Sequence, residues 1–130
     1  MRVLQPEGWP APSGYANGIA ARGETVFIGG QIGWNAQGEF ADGLALQVGQ
    51  ALRNIVEVVA VAGGTCADIV RLTWFLRDVD DYNANLAGIG RAYRSVFGKH
   101  FPAMSVVAVV RLVEPLALVE IEATAVLKET

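Results

Sequence analysis

The spacing of apolar residues changes along the chain, and the change separates predicted helices from predicted strands. A three- and four-residue spacing predicts a first helix from Leu44, which we expect to end at Gly63 and Gly64. The same spacing predicts a second helix over Asp81–Phe97, with Gly98 ending it. The apolar stripe of the first helix is Leu44, Val48, Leu52, Ile55 and Val59, and polar Gln47, Gln50, Asn54 and Glu57 fall on another face.

Alternating or continuous apolar residues predict strands on both sides of these helices. The predicted strands are Arg2–Leu4, Asn17–Arg22, Thr25–Gly29, Ile69–Val79, Met104–Val113 and Ala117–Leu127. The turn at residues 22–24 predicts a hairpin between the second and third strands, and residues 31–43 are interpreted as a loop. This order predicts a single α+β domain over residues 1–130, with two helices on one face of a β-sheet.

The other face of that sheet lacks a cover. In the last strand, alternate residues from Ala117 to Ala125 are small or apolar and suit the helix side, whereas Glu120 and Glu122 point the other way. The strand Met104–Val113 is apolar on both sides. Because a monomer rarely exposes so large an apolar patch, we expect an oligomer that buries it.

Composition and charge exclude several classes of function. The net charge is −3 and the Lys and Arg residues form no run, which does not favour binding to nucleic acid. A single cysteine, Cys66, cannot form an intrachain disulfide and is interpreted as a small buried hydrophobe. The first twelve residues are too polar for a signal peptide, and no uninterrupted apolar run reaches the roughly 18 residues of a membrane span. We therefore expect a cytoplasmic protein without a membrane partner.

Few side chains could carry chemistry. Glu120 and Glu122 could act in acid–base catalysis, or form one solvated and one salt-bridged carboxylate. His100 is the only histidine and is interpreted as a surface or hydrogen-bonding residue, so that neither a metal site nor a cofactor is predicted. Trp34, in a predicted loop, is either a lid over the core or the wall of a pocket, whereas Trp74 falls on the apolar side of its strand.

Five segments together resemble the Rid (reactive intermediate deaminase, or YjgF) family. They are Tyr15–Gly18, Phe27–Ile32, Ala51–Gly64, Phe101–Ser105 and Val119–Ala123. The resemblance covers nearly the whole chain, and Glu-Ile-Glu-Ala after Phe-Pro-Ala is quite specific. It implies a chorismate-mutase-like fold and a homotrimer whose sheets form a central barrel. It also implies a small-molecule ligand in each cleft between subunits.

The resemblance also implies an activity and the residues that perform it. Active members hydrolyse enamines and imines, such as 2-aminoacrylate, to a keto acid and ammonia. Matched residue by residue, Tyr15 and the backbone N–H of Gly30 line the cleft, and Glu120 holds the attacking water.

One position departs from this pattern. The Arg that binds the substrate carboxylate in the family falls on Met104, which offers apolar contact in place of a bidentate charged pair. Two further polar positions of the family fall on Gly29 and Gly90. With Trp34 near, we expect a wider and more apolar cleft that takes a larger substrate.

These observations leave more than one function open. The first interpretation is a hydrolase of an enamine, imine or related reactive intermediate that depends less on a carboxylate. The second is a ligand-binding or regulatory trimer without catalysis. A third, a ribonuclease or translation inhibitor, is disfavoured by the acidic charge. Ammonia release from a panel of imines, against binding without turnover, discriminates the first two.

Overall fold

The last strand of the chain lies inside a sheet rather than at its edge. The computed structural model describes residues 1–129, and its strands are β1 (Arg2–Leu4), β2 (Gly18–Ala20), β3 (Glu24–Ile32), β4 (Ile69–Leu76), β5 (Ala103–Ala108) and β6 (Val119–Leu127). Four of them form a mixed sheet in the order β3-β6-β4-β5, in which only the β4–β5 pair is parallel. The predicted α+β class is therefore confirmed.

The predicted hairpin between the second and third strands is wrong. β2 pairs with β1 in a separate two-stranded sheet, and β3 pairs with β6. Gly23 explains the difference, because a Cβ added there would overlap the carbonyl oxygen of Leu127. The chain passes close against β6 at this point, so β3 begins along β6 instead of folding back on β2.

The first helix, α1 (Leu44–Val61), lies where the spacing predicts it, and its five stripe residues are buried. Gln47, on the polar face of the helix, is also buried, and its side chain hydrogen-bonds to backbone groups. By length and hydropathy alone α1 could also cross a membrane. Its buried stripe packs in the protein core, which identifies it as a core helix.

The predicted second helix is two helices, α2 (Val79–Ala84) and α3 (Leu86–Phe97). Asn85 separates them, and its side-chain amide donates to the Asp81 carbonyl at 2.8 Å. The cap of α2 is Asp78, whose carboxylate accepts from the N–H groups of Asp80 and Asp81. Because α2 begins at Val79, the preceding strand ends at Leu76 and not at Val79 as predicted. Gly98 ends α3 as predicted.

The two sides of the sheet differ in how completely the rest of the chain covers them. The last strand begins at Val119 and not at Ala117, and its alternate residues from Val119 to Ala125, on the helix side, are at most 6% exposed, as the alternation predicts. The side away from the helices, which we call the open face, carries Phe27 at 80% exposure beside Thr124. The prediction that apolar surface stays uncovered within one chain is therefore confirmed.

The strand Met104–Val113 is shorter than predicted. β5 ends at Ala108, and one more bond follows, from Val109 N to the Leu76 carbonyl at 2.8 Å. Since its neighbour β4 ends at Leu76, the chain beyond has no strand to pair with. Val110 and Val113 there are 95% and 94% exposed, which extends the uncovered apolar surface.

Candidate functional site

Glu120 and Gly30 meet on the open face. Glu120 lies between buried Val119 and Ile121, so its side chain leaves β6 on the opposite side. A Cβ added at Gly30 would overlap a carboxylate oxygen of Glu120 and lie 2.8 Å from its carboxyl carbon. The Glu120 carboxylate therefore lies directly over the backbone of residue 30, in space that only glycine leaves free.

An irregularity in β3 produces this approach. The pairing of β3 with β6 shifts between Ile28 and Gln31, where β3 holds one residue more than its partner. Such a bulge re-aims the backbone next to it and often lies beside functional sites. Residues 29 and 30 are both glycines, so the backbone there is bare of side chains next to Glu120. The arrangement sets a carboxylate beside accessible main chain.

Glu122 has different surroundings from Glu120. It lies opposite Thr73 on the neighbouring strand and is exposed. Arg77, at the end of that neighbouring strand, donates to the Pro115 carbonyl at 2.9 Å. Of the two carboxylates, only Glu120 is half-buried and lies against a bare backbone.

Met104 lies on the other side of the sheet. Its partner in β4 is Leu72, which is fully buried beneath the helices. Between β5 and α3 lies a cavity of about 310 Å³, which we call the Met104 cavity. Its lining includes Trp74, Gly90, Tyr93, Arg94, Phe101 and Met104.

Tyr15 lies next along the chain to a residue that lines this cavity. Ala16 bridges to Ala103 of β5, and its N–H donates to the Pro102 carbonyl at 3.1 Å. Gly14, on the other side of Tyr15, lines the Met104 cavity. The exposed Tyr15 ring is therefore anchored, through its neighbours, at the edge of the sheet next to Met104.

The candidate residues thus form two half-sites. Glu120 and Gly30 occupy the open face, whereas Met104, with Tyr15 alongside, belongs to the helix side. The sheet itself separates the two half-sites within one chain. A ligand that contacts both half-sites therefore needs residues from two copies of the chain.

Trp34 joins neither half-site in this chain. It lies just beyond β3, bridges to Phe40, and packs on that ring at a centroid distance of 5.5 Å. Asn54 of α1 donates to its carbonyl oxygen at 2.8 Å. Within one chain its ring covers its own loop and is not among the residues that line the Met104 cavity, and its place in an intersubunit cleft stays a prediction.

Cys66 and His100, the other reactive side chains considered, lie among structural contacts. Burial raises the pKa of the Cys66 thiol, and Asp68 raises it further, so the thiol stays protonated at neutral pH. His100 lies 2.7 Å from the Ile69 carbonyl through Nε2 and stacks near Phe97. Within residues 1–129 no three His, Cys, Asp or Glu side chains gather as a metal site would require.

Sequence reasoning missed two residues of the Met104 cavity. Trp74 is buried as predicted, yet its indole Nε1 lacks a hydrogen-bond partner among the described residues. Arg94 also lines the cavity, although it lies outside the segments that suggested the site. The sequence offers one signal for this cavity, the glycines Gly88 and Gly90 inside a predicted helix, because glycine at such positions permits close packing or a ligand near that turn.

Known proteins resemble the chain over almost its whole length. A family model described as Endoribonuclease L-PSP matches residues 9–127. A RutC family protein of Haemophilus influenzae is 37% identical over 128 residues, which cover 98% of each chain. An Escherichia coli protein named 2-iminobutanoate/2-iminopropanoate deaminase is 35% identical, with 96% of this chain and 97% of that protein covered. The crystal structure of YyfB, a Rid-family protein of Yersinia pestis, gives a TM-score of 0.83 at 39% identity, with 97% of this chain and 98% of that chain covered.

Proposed function

The chain belongs to the Rid family, which the Endoribonuclease L-PSP model describes, and from this premise we propose that it hydrolyses a reactive enamine or imine. In the proposed reaction water adds to the carbon of the C=N bond, nitrogen leaves as ammonia, and a carbonyl compound remains. The names of relatives such as the E. coli 2-iminobutanoate/2-iminopropanoate deaminase support this class of reaction.

The observation that carries the proposal is the Glu120 carboxylate over Gly30. A carboxylate held beside accessible backbone can accept a hydrogen bond from water and orient it toward an electrophilic carbon. The Gly30 N–H would line the same space and donate to the substrate. Glu122, which is exposed and lies against no bare backbone, would not replace Glu120 in this role.

The proposed enzyme is a homotrimer with a ligand site in each intersubunit cleft. Two structural observations support assembly: the open face exposes Phe27, and the two half-sites lie on opposite sides of one sheet. In a ring of three copies the open face of each sheet would turn inward around a central barrel. Each cleft would then combine Glu120 of one copy with the Met104 cavity of its neighbour.

The substrate is proposed to be larger and more apolar than 2-aminoacrylate. Met104 and the aromatic rings beside it surround a cavity with apolar side chains. Such a surface would favour an aromatic or long aliphatic substituent on the imine. The net charge of −3 does not favour RNA as a substrate despite the description of the family model.

A ligand-binding trimer without turnover is the second candidate. Met104 favours it, because the position that binds the substrate carboxylate in active members carries no charge here. Binding could persist in the cavity while the geometry needed for hydrolysis is lost. Turnover, not binding, therefore separates the two candidates.

The test measures ammonia release from imines generated in situ by an amino acid oxidase. Substrates range from 2-iminopropanoate to the imine of an aromatic keto acid. Glu120→Gln is compared with Glu122→Gln, a matched change two residues along the same strand. We expect turnover of the larger imines, lost in Glu120→Gln and retained in Glu122→Gln. Tight binding without ammonia release would favour the second candidate, and equal loss in both variants would contradict the role of Glu120.

A further inference from the structure

The Met104 cavity contains a cation that the family motif does not supply. Arg94 lies one helical turn after Gly90 on α3, and both residues line the cavity. A Cβ at Gly90 would lie 3.1 Å from Nη1 of Arg94, so the guanidinium extends back over the glycine. The missing side chain at residue 90 leaves the guanidinium free to take this position.

Arg94 is the one charged residue among those that line the cavity in the described part of the chain. The other lining residues are aromatic, aliphatic or small, so no carboxylate faces the guanidinium from the cavity wall. An arginine offers several N–H donors in a planar fork that matches the two oxygens of a carboxylate. The surroundings therefore suit an anionic group on a ligand.

We propose that Arg94 forms the anion-recognising end of the ligand site, and that the ligand is a carboxylate with an apolar or aromatic body. The proposal rests on the proposed function, and it names the substrate class of that site. In this arrangement the cation that binds the carboxylate lies on helix α3, whereas the family carries it at the β5 position that Met104 occupies here. The carboxylate of the ligand points toward α3, and the thioether of Met104 contacts its apolar body.

The aromatic rings around this end are fixed in place. Tyr93 stacks on Phe101 at 5.3 Å and lies near Trp74 at 6.3 Å, which gives the cavity a flat apolar wall. The Tyr93 hydroxyl donates to the His100 carbonyl at 2.6 Å, and burial raises the pKa of Tyr93, so the ring stays neutral. Tyr93 thus adds no negative charge that would compete with a carboxylate for Arg94.

The test uses the full chain in its native assembly and measures binding of phenylacetate and its neutral isostere phenylacetamide by calorimetry. We expect the wild type to bind phenylacetate about tenfold or more tightly than the amide. Arg94→Gln should remove this preference. Arg91→Gln, an exposed arginine on the same helix that does not line the cavity, is the matched control and should keep it.

A double variant distinguishes a lost charge from a damaged helix. Met104→Arg in the Arg94→Gln background returns a cation to the cavity, and we expect it to restore the preference for phenylacetate. Equal affinity of the wild type for both probes, binding of neither probe, or an unchanged preference in Arg94→Gln would overturn the proposal.

Binding and turnover separate this proposal from the proposed function. If ammonia release fails while the Arg94-dependent preference is present, the anion-recognising end stands and the deaminase function is wrong. If imines are hydrolysed but the preference does not depend on Arg94, the function stands and this inference is wrong.

Discussion

The two faces of one sheet have opposite properties. On the helix side of β6, alternate residues from Val119 to Ala125 are at most 6% exposed and belong to a core that the chain completes by itself. On the open face the same strand carries Glu120 and Glu122, beside Phe27 at 80% exposure. The helix side therefore determines the fold of one copy. The open face is incomplete alone, and we propose that it serves assembly and chemistry.

The largest expected effect comes from placing a charge on the open face. Phe27→Asp would bury an unpaired carboxylate between subunits, at a cost of several kcal/mol. We expect the 13.8 kDa chain to change from trimer to monomer at micromolar concentration in light scattering, with loss of turnover.

Val61→Asp is the control for that change, because Val61 is 90% exposed but lies at the end of α1, away from the open face. It should remain trimeric. A wild type that is already a stable monomer would contradict the proposed assembly.

A smaller effect is expected from the contact between Gly30 and Glu120. The added methyl group of Gly30→Ala would displace the carboxylate, and loss of positioning should lower the rate about 100-fold. Gly29→Ala, whose methyl meets nothing within 4 Å, should lose far less. Kinetics and melting temperatures of both variants test this, and an equal rate loss would show that the overlap with Glu120 does not matter.

The helix side of the site predicts a difference between substrates. Because the proposed carboxylate-binding cation, Arg94, lies on α3 and not at residue 104, the wild type should hydrolyse small imines such as 2-iminopropanoate at least about tenfold more slowly than a relative with an Arg at residue 104. Met104→Arg should recover part of that activity if the cavity admits the longer side chain. Steady-state ammonia release measures both, and a wild type as fast as the relative would contradict the expectation.

The smallest effect concerns the glycines of α3. Gly90→Ala and Gly88→Ala should each stabilise the chain by up to about 1 kcal/mol, because glycine is a poor residue inside a helix. Only Gly90→Ala places a methyl group against the Arg94 guanidinium. Denaturant unfolding should show a similar gain in both, whereas phenylacetate binding should weaken in Gly90→Ala alone. Equal binding would show that the guanidinium adjusts freely.

Local patterns predicted the helix side of the fold well. The spacing of Leu44 to Val59 and the alternation in β6 depend only on neighbours along the chain, and both are confirmed. Strand pairing depends on contacts between distant residues. The close approach of Gly23 to Leu127, which directs β3 to β6, therefore left no local signal beyond a glycine.

The site was predictable in part. The resemblance selected Glu120 and Gly30, and the structure brings them together. Spacing alone could not show that Met104 lies on the opposite side of the sheet from Glu120. Nor could it show the unpartnered Nε1 of Trp74, because an orphan donor is defined by the absence of neighbours in space.

The buried amide of Gln47 has a consequence for association. Its Nε2 donates to the carbonyl oxygens of Ala41 and Leu116, and its Oε1 accepts from the N–H of Leu118 at 2.8 Å. One neutral group thus ties two distant connections to α1, including the end of the exposed segment that follows β5. Ordering flexible segments on binding costs conformational entropy. Because this segment is already held at one end, a neighbouring copy would meet a preorganised surface and lose less entropy on docking.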